Sequence, residues 1–169
     1  MKPGEMLNKA LMIMILAHEG QYDKGGKPYS LHPLTVLYKL NTNDEELQCA
    51  AVLHDVIEDC SGKRIHFAGE DQEISFAMLA DAGMSTRVVD IVRRLTKMPG
   101  QTYEEYQAAV LSDIGAMLVK REDLRTNSDL RRLKSRTITE KDVARVAKYM
   151  TFYALIESKL AETHSTEGA

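Results

Sequence analysis

The sequence predicts an all-α fold, a compact multi-helix bundle built as one domain. Three observations carry this. Nearly every segment spaces its apolar residues three and four apart, the period of one helical face. No segment alternates apolar and polar residues convincingly with the period of two that a half-buried strand requires. The periodic segments are separated by glycine, proline or capping residues rather than by long linkers. With 169 residues, 44% of them apolar and 28% charged, the chain can bury roughly 70% of its unfolded surface and needs no covalent staples. One domain is expected over residues 1–162, with a frayed tail from 163 to 169.

Met6, Leu7, Ala10, Leu11, Met14 and Ile15 mark the apolar face of a first helix over 5–19, and Gly20 offers its stop. Residues 20–31 hold Gly25-Gly26 and Pro28, so they form a loop. His32 and Pro33 open a short helix to about Leu40, proline being tolerated in a first turn. The polar break at 41–44 supplies caps. The segment 45–58, ELQCAAVLHDVIED, is apolar almost all round, as a helix at the centre of a bundle is. Residues 60–72 are polar and glycine-bearing and are expected to form a loop. Short helices follow over 74–82 and, capped by Ser85, to about Lys97. Thr102 and Glu105 form a capping box for a helix to about Ser112. Another helix is expected over 114–125. The basic residues Arg131, Arg132, Lys134 and Arg136 cluster in the linker after it, with solvent the default environment. Thr139 and Asp142 make a second capping box, opening a long helix to about Ala161.

Composition narrows the function classes. A formal net charge of -3 argues against binding nucleic acid through bulk positive charge. The two cysteines, Cys49 and Cys60, have no zinc-like spacing and make no disulfide framework, so a reducing cytoplasm is the expected compartment. No apolar run approaches the ~20 residues of a membrane span. The apolar stretch from Ala10 to Ala17 reads as a core helix, not a signal peptide. The oligomeric state is left open.

The chemistry gathers on the 45–58 helix. His54 and Asp55 are adjacent, and Glu58 and Asp59 follow one turn later, so Asp55 can share a face with either. Ionisable groups on an otherwise apolar helix are expensive unless they are paired or bind a metal. Two readings of this cluster stand. Either it is a site, or His54 bonds a carbonyl while Glu58 and Asp59 form a solvated helix end. His32 alone would be a cap or a surface residue, and Asp123 alone a solvated charge. Combined, two imidazoles and two carboxylates make a nitrogen and oxygen donor set that suits Mn²⁺, Fe²⁺ or Zn²⁺.

Four blocks in order, AHEGQYDKGGKPYSLHPLTV, AAVLHDVIED, LTK and VKREDLRTN, resemble the HD-domain phosphohydrolases. Within them the chain looks like the alarmone hydrolases: the hydrolase half of RelA/SpoT proteins and the small stand-alone enzymes similar to metazoan SpoT homologues. The resemblance spans about residues 10–130. It implies that His32, His54, Asp55 and Asp123 are metal ligands, usually for Mn²⁺, and that Glu58 and Asp59 position or deprotonate the attacking water. It further implies that Lys24 approaches the nucleotide, that Asn127 lies at the ribose side, and that Thr96 and Lys97 line the pocket edge. Lys24, Lys97 and Lys120 are candidate cations for the phosphates. His18 is expected to brace the loop, and His66 to lie on the surface.

The chain also departs from the family pattern. Asp23 stands where a basic residue commonly helps hold the base. Asp129 stands where a basic residue is usual, and an acid there repels a nucleotide phosphate unless it points away. The implied activity is a (p)ppGpp 3′-pyrophosphohydrolase releasing pyrophosphate and GDP or GTP, with a small-molecule nucleotide as partner and no synthetase half. The alternatives are a nucleotidase or phosphatase on another phosphorylated nucleotide, and a catalytically idle module that binds a nucleotide or a protein.

Overall fold

The structure, a computed structural model, describes residues 2–133 and 137–167, with side chains as far as Thr163. Lys134 and Arg136 of the basic cluster lie outside them. Helices dominate: α1 (Glu5–Ala17), α2 (Leu31–Leu40), α3 (Glu45–Leu53), α4 (Val56–Cys60), α5 (Phe76–Asp81), α6 (Thr86–Leu95), α7 (Tyr103–Leu111), α8 (Ile114–Asn127) and α9 (Glu140–Glu167). A short 3₁₀ turn, Leu130–Leu133, follows α8. α3 is the central rod, packed by α1, α2, α6 and α8, and every residue from Cys49 to Leu53 is buried. α9 lies along α8 and α7, inserting Phe152, Ile156 and Leu160 into the core.

The caps read from the sequence are present. Ser85 accepts from the Val88 amide, and Thr102 and Glu105 form the full capping box. Thr139 and Asp142 exchange side-chain and backbone bonds at the start of α9. Asp44 caps α3 by accepting from the Glu46 and Leu47 amides.

Three expectations need correction. The 45–58 segment is not one helix: it breaks at His54 and Asp55. An unbroken helix would offer the Ala51 carbonyl to the Asp55 amide, but here His54 Nδ1 bonds that carbonyl at 2.8 Å. A side chain that takes a backbone acceptor in this way competes with the helix. The loop over 60–72 is in part an antiparallel hairpin, β1 (Arg64–Phe67) and β2 (Glu70–Glu73), with Arg64 opposite Glu73 and Phe67 opposite Glu70. β1 does alternate, Ile65 and Phe67 being buried and Arg64 and His66 exposed. It is four residues long and β2 is wholly polar, so no period showed. Ala68 and Gly69 both take positive φ to turn the hairpin, as two-residue turns matched to strand twist require. Finally, α9 runs on to Glu167 rather than ending near Ala161.

One exposed ion-pair group ties α3 to α6. Arg87 Nη1 bonds Asp44 Oδ2 and Glu46 Oε2, each at 2.8 Å. Burial raises the Asp44 pKa, but Arg87 and the Leu47 amide outweigh it and the net shift is downward; Arg87 likewise lowers Glu46. Depressed carboxyls contribute stability above their ordinary values of about 4 and lose it as pH falls through the depressed ones. Arg87→Ala is therefore expected to lower urea-denaturation stability by about 1 kcal/mol or less at pH 7. The difference from wild type closes in strong acid. An equal loss at both pH values would count against this account.

Candidate metal centre

α2, α3 and α8 pack side by side, and each presents a polar group to one buried point. His32 sits in the first turn of α2, His54 and Asp55 form the break after α3, and Asp123 lies in the last half of α8. His32 Nε2 is 3.0 Å from Asp123 Oδ1 and 3.4 Å from Asp55 Oδ2. His54 Nε2 is 2.9 Å from Asp55 Oδ2 and 3.7 Å from Asp123 Oδ1. Donor atoms of His32, His54 and Asp123 all lie within 4.8 Å of one another. Asp55 lies beside this group, with Oδ2 at 2.9 Å from His54 Nε2.

The nitrogens lie at ion-pair distance from the carboxylates but are not aligned to donate to them. Among the described residues, His32 Nε2 and His54 Nε2 are buried and have no aligned hydrogen-bond partner. A buried polar group without a partner costs about 1–3 kcal/mol, so two facing one point need an explanation. Atoms converging on a shared point, rather than on each other, is what a cation site looks like. The ring orientation agrees: His54 Nδ1 donates to Ala51 O, which turns Nε2 toward the cluster to carry either a proton or a metal.

The surrounding bonds hold these side chains in place. The Tyr29 hydroxyl donates to Asp55 Oδ2 at 2.6 Å. Asn127 Nδ2 donates to Asp123 Oδ1, and Lys120 Nζ to Asp123 Oδ2, each at 2.6 Å. Such outer bonds fix ligand orientation. Burial opposes charge on His54, but Asp55 and Asp123 outweigh it and raise its pKa to about 10. His32 moves the same way for the same reasons. Burial also opposes ionisation of Asp55 and Asp123, yet the imidazoles, and for Asp123 chiefly Lys120, hold both well below the carboxylate range. The cluster demands positive charge at its centre, supplied by protons or by a metal ion.

Glu58 and Asp59 stand on α4 at the exposed edge of this cluster. Glu58 Oε2 accepts from the Lys97 amide at 2.8 Å. Burial raises the Glu58 pKa against the effect of that amide, and burial followed by the Asp55 charge raises that of Asp59.

The other expected residues divide. Lys24 and Asn127 line a cavity of about 330 Å³ that Tyr29, whose hydroxyl holds Asp55, also lines. Lys120 lines no part of it and is engaged on Asp123. Thr96 is buried with its hydroxyl donated to Val92 O, and Lys97 has an exposed side chain on the Glu58 side. His18 is buried, bonded to Gln21 and set against the Tyr29 ring, so it braces the loop as expected. His66 is exposed.

Sequence reasoning missed Tyr29 and Arg132. Tyr29 lay inside the quoted motif without a role. Arg132 was one of a basic run assigned by default to solvent, and the run splits. Arg131 is exposed and closes on Asp129, whose pKa it lowers to about 2. Arg132 turns inward to Asn127 and to Asp23. Both acids that break the family pattern therefore carry an arginine partner.

Against known proteins, the chain is 34% identical over 149 residues to the guanosine-3′,5′-bis(diphosphate) 3′-pyrophosphohydrolase of Vibrio cholerae, covering 79% of this chain and 20% of that protein. It is 33% identical over 146 residues to the bifunctional (p)ppGpp synthase/hydrolase SpoT of Escherichia coli K12, covering 78% of this chain and 19% of that protein. The chain is a homologue of these (p)ppGpp hydrolases. It spans about a fifth of the length of the curated relatives it matches. No family model matches it. The solved structure of a metazoan SpoT orthologue that hydrolyses ppGpp superposes with a TM-score of 0.68 at 23% identity, covering 99% of this chain and 98% of that one. The helical bundle is thus the fold of that hydrolase. Among the described residues no helix is long and apolar enough to cross a membrane.

Proposed function

We propose that this chain is a metal-dependent (p)ppGpp 3′-pyrophosphohydrolase, with Mn²⁺ at His32, His54, Asp55 and Asp123. The observation that carries it is the convergence of buried imidazole nitrogens and carboxylate oxygens, linked through Tyr29 to a cavity of about 330 Å³. A nitrogen and oxygen donor set with no thiolate fits Mn²⁺, Fe²⁺ or Zn²⁺. When bound, such an ion supplies Lewis acidity, acidifying water and polarising a phosphate oxygen.

The chain's own groups do the rest. Glu58, its carboxyl raised by burial, takes the proton of the attacking water, a pKa nearer neutrality being the better one for a base. Asp59 beside it orients that water. Water attacks the inner phosphorus of the 3′-diphosphate. The bond from that phosphorus to the 3′ oxygen breaks, the 3′ oxygen takes up the proton that Glu58 accepted, directly or through solvent, and pyrophosphate leaves behind GDP or GTP. Lys24 and Asn127 face the nucleotide from the cavity wall. Tyr29 and Lys120 keep Asp55 and Asp123 oriented.

Purified protein with added Mn²⁺ is expected to convert ppGpp to GDP and pyrophosphate, read by ion-exchange chromatography, while Asp55→Ala does not. No turnover by a metal-loaded protein would sink the alarmone reading. A second reading, hydrolysis of another phosphorylated nucleotide, draws on Asp23 and Asp129 in the cavity wall. It predicts release of phosphate or a nucleoside from a different member of a nucleotide panel.

A further inference from the structure

Arg132 occupies an unusual junction. Its Nη1 donates to Asn127 Oδ1 at 3.0 Å and to the Thr126 carbonyl at 3.2 Å, and its Nη2 reaches Asp23 Oδ2 at 3.3 Å. Asn127 uses the other end of its amide to donate to Asp123 Oδ1 at 2.6 Å, the oxygen that faces both imidazoles. An amide has one oxygen and one NH₂, so a donor at the oxygen end decides which way it points. Arg132, held on Oδ1, turns the NH₂ toward Asp123.

The junction is anchored on its far side. Asp23 Oδ1 accepts from the amides of Gly25 and Lys27, at 2.8 and 2.9 Å, which leaves Oδ2 for Arg132. Gly25 lies against the backbone of the 3₁₀ turn so closely that a Cβ there would collide with the Arg132 carbonyl. The loop before α2 and the turn after α8 are therefore locked together at one spot.

We propose that Arg132 is a positioning residue for the metal ligand Asp123, acting through the Asn127 amide, with Asp23 as its counter-ion. The proposal rests on the metal reading above. The plain alternative is that Arg132 only caps α8 by bonding its last carbonyls, as basic side chains do at helix C-termini. A cap changes stability and leaves ligand geometry alone.

The test is Mn²⁺ affinity, measured by calorimetric titration of the metal-stripped full chain with Mn²⁺ alone. The proteins are wild type, Asn127→Ala, Arg132→Gln, the double variant, and Arg131→Gln as a control on the neighbouring surface pair. Loss of an outer bond to a ligand typically weakens metal binding by about 10-fold or more. Asn127→Ala and Arg132→Gln are each expected to show about that loss, and the double variant no more than Asn127→Ala alone, because residues acting through one bond are not additive. Arg131→Gln is expected to match wild type. Wild-type affinity in Arg132→Gln, or losses that multiply in the double variant, would overturn the relay while leaving the metal centre standing. A wild type that binds no Mn²⁺ would overturn both. Circular dichroism checks folding. If Arg132→Gln fails to fold, Asp23→Asn keeps Oδ1 as acceptor for the loop amides and replaces Oδ2, the acceptor and charge that hold Arg132, by an NH₂ group. It is expected to weaken Mn²⁺ binding less but in the same direction, and unchanged binding there also overturns the relay.

Discussion

Asp123→Ala is expected to remove Mn²⁺ binding, to lower hydrolysis by at least about 10³-fold, and to destabilise the fold. The carboxylate is buried and serves Lys120, Asn127 and the two imidazoles at once. Lys120 Nζ sits on Asp123 Oδ2, and its charged form is favoured there by Asp123 against the effect of burial. Removing one member of a buried pair leaves the other charge uncompensated, which costs about 3–5 kcal/mol. In a domain of this size that corresponds to a fall in Tm of roughly 10 °C. Asp123→Asn separates the two effects: it keeps the shape and one acceptor but loses the charge that draws the cation. Thermal scans of the metal-free proteins read the stability loss, and Mn²⁺ titration reads the site. Asp123→Ala with wild-type Mn²⁺ affinity would end the assignment of this cluster as the metal centre.

Glu58→Gln is expected to do the opposite to stability. The variant loses about 10²–10⁴-fold in kcat, the range for removal of a general base, while binding Mn²⁺ as wild type does. The amide keeps an oxygen for the Lys97 amide that Glu58 now accepts from. Its ionised form is disfavoured by partial loss of solvent at the cluster's edge. A carboxyl whose pKa is raised on folding stabilises the protein more as pH falls through that raised value, so at neutral pH the charge is a burden. Replacing it with a neutral isostere is expected to hold Tm level or raise it, the usual trade between stability and activity at a working site. An unchanged kcat would move the base to Asp59, and Asp59→Asn would then carry the loss.

The bundle and its caps were legible because period and punctuation are local. Ser85, Thr102 with Glu105, and Thr139 with Asp142 each act within three residues of themselves. His54 and Asp55 were legible as a cluster, since ionisable groups on an apolar helix ask for an explanation. The break beneath them was not, because it depends on His54 taking the Ala51 carbonyl, a rotamer choice that no pattern records. The hairpin was lost because a four-residue strand pairs with one that has no apolar face. Arg132 was lost for a different reason. In sequence it is one of several arginines after α8, and only the fold separates the inward one from Arg131. The acids at 23 and 129 read as mismatches to a nucleotide pocket. In three dimensions each is half of an ion pair.

Asp23 and Arg132 are 109 residues apart along the chain, and the cavity lies between their two segments. Contacts between distant segments carry the largest loop-closure entropy and are made late in folding. The helix pair α1 and α3 can associate early, but one wall of the cavity is missing until the turn after α8 arrives and docks on Gly25. The binding surface is thus a product of the finished fold. Whatever first parts the loop at Asp23 from the turn at Arg132 opens the cavity before it melts the central helix.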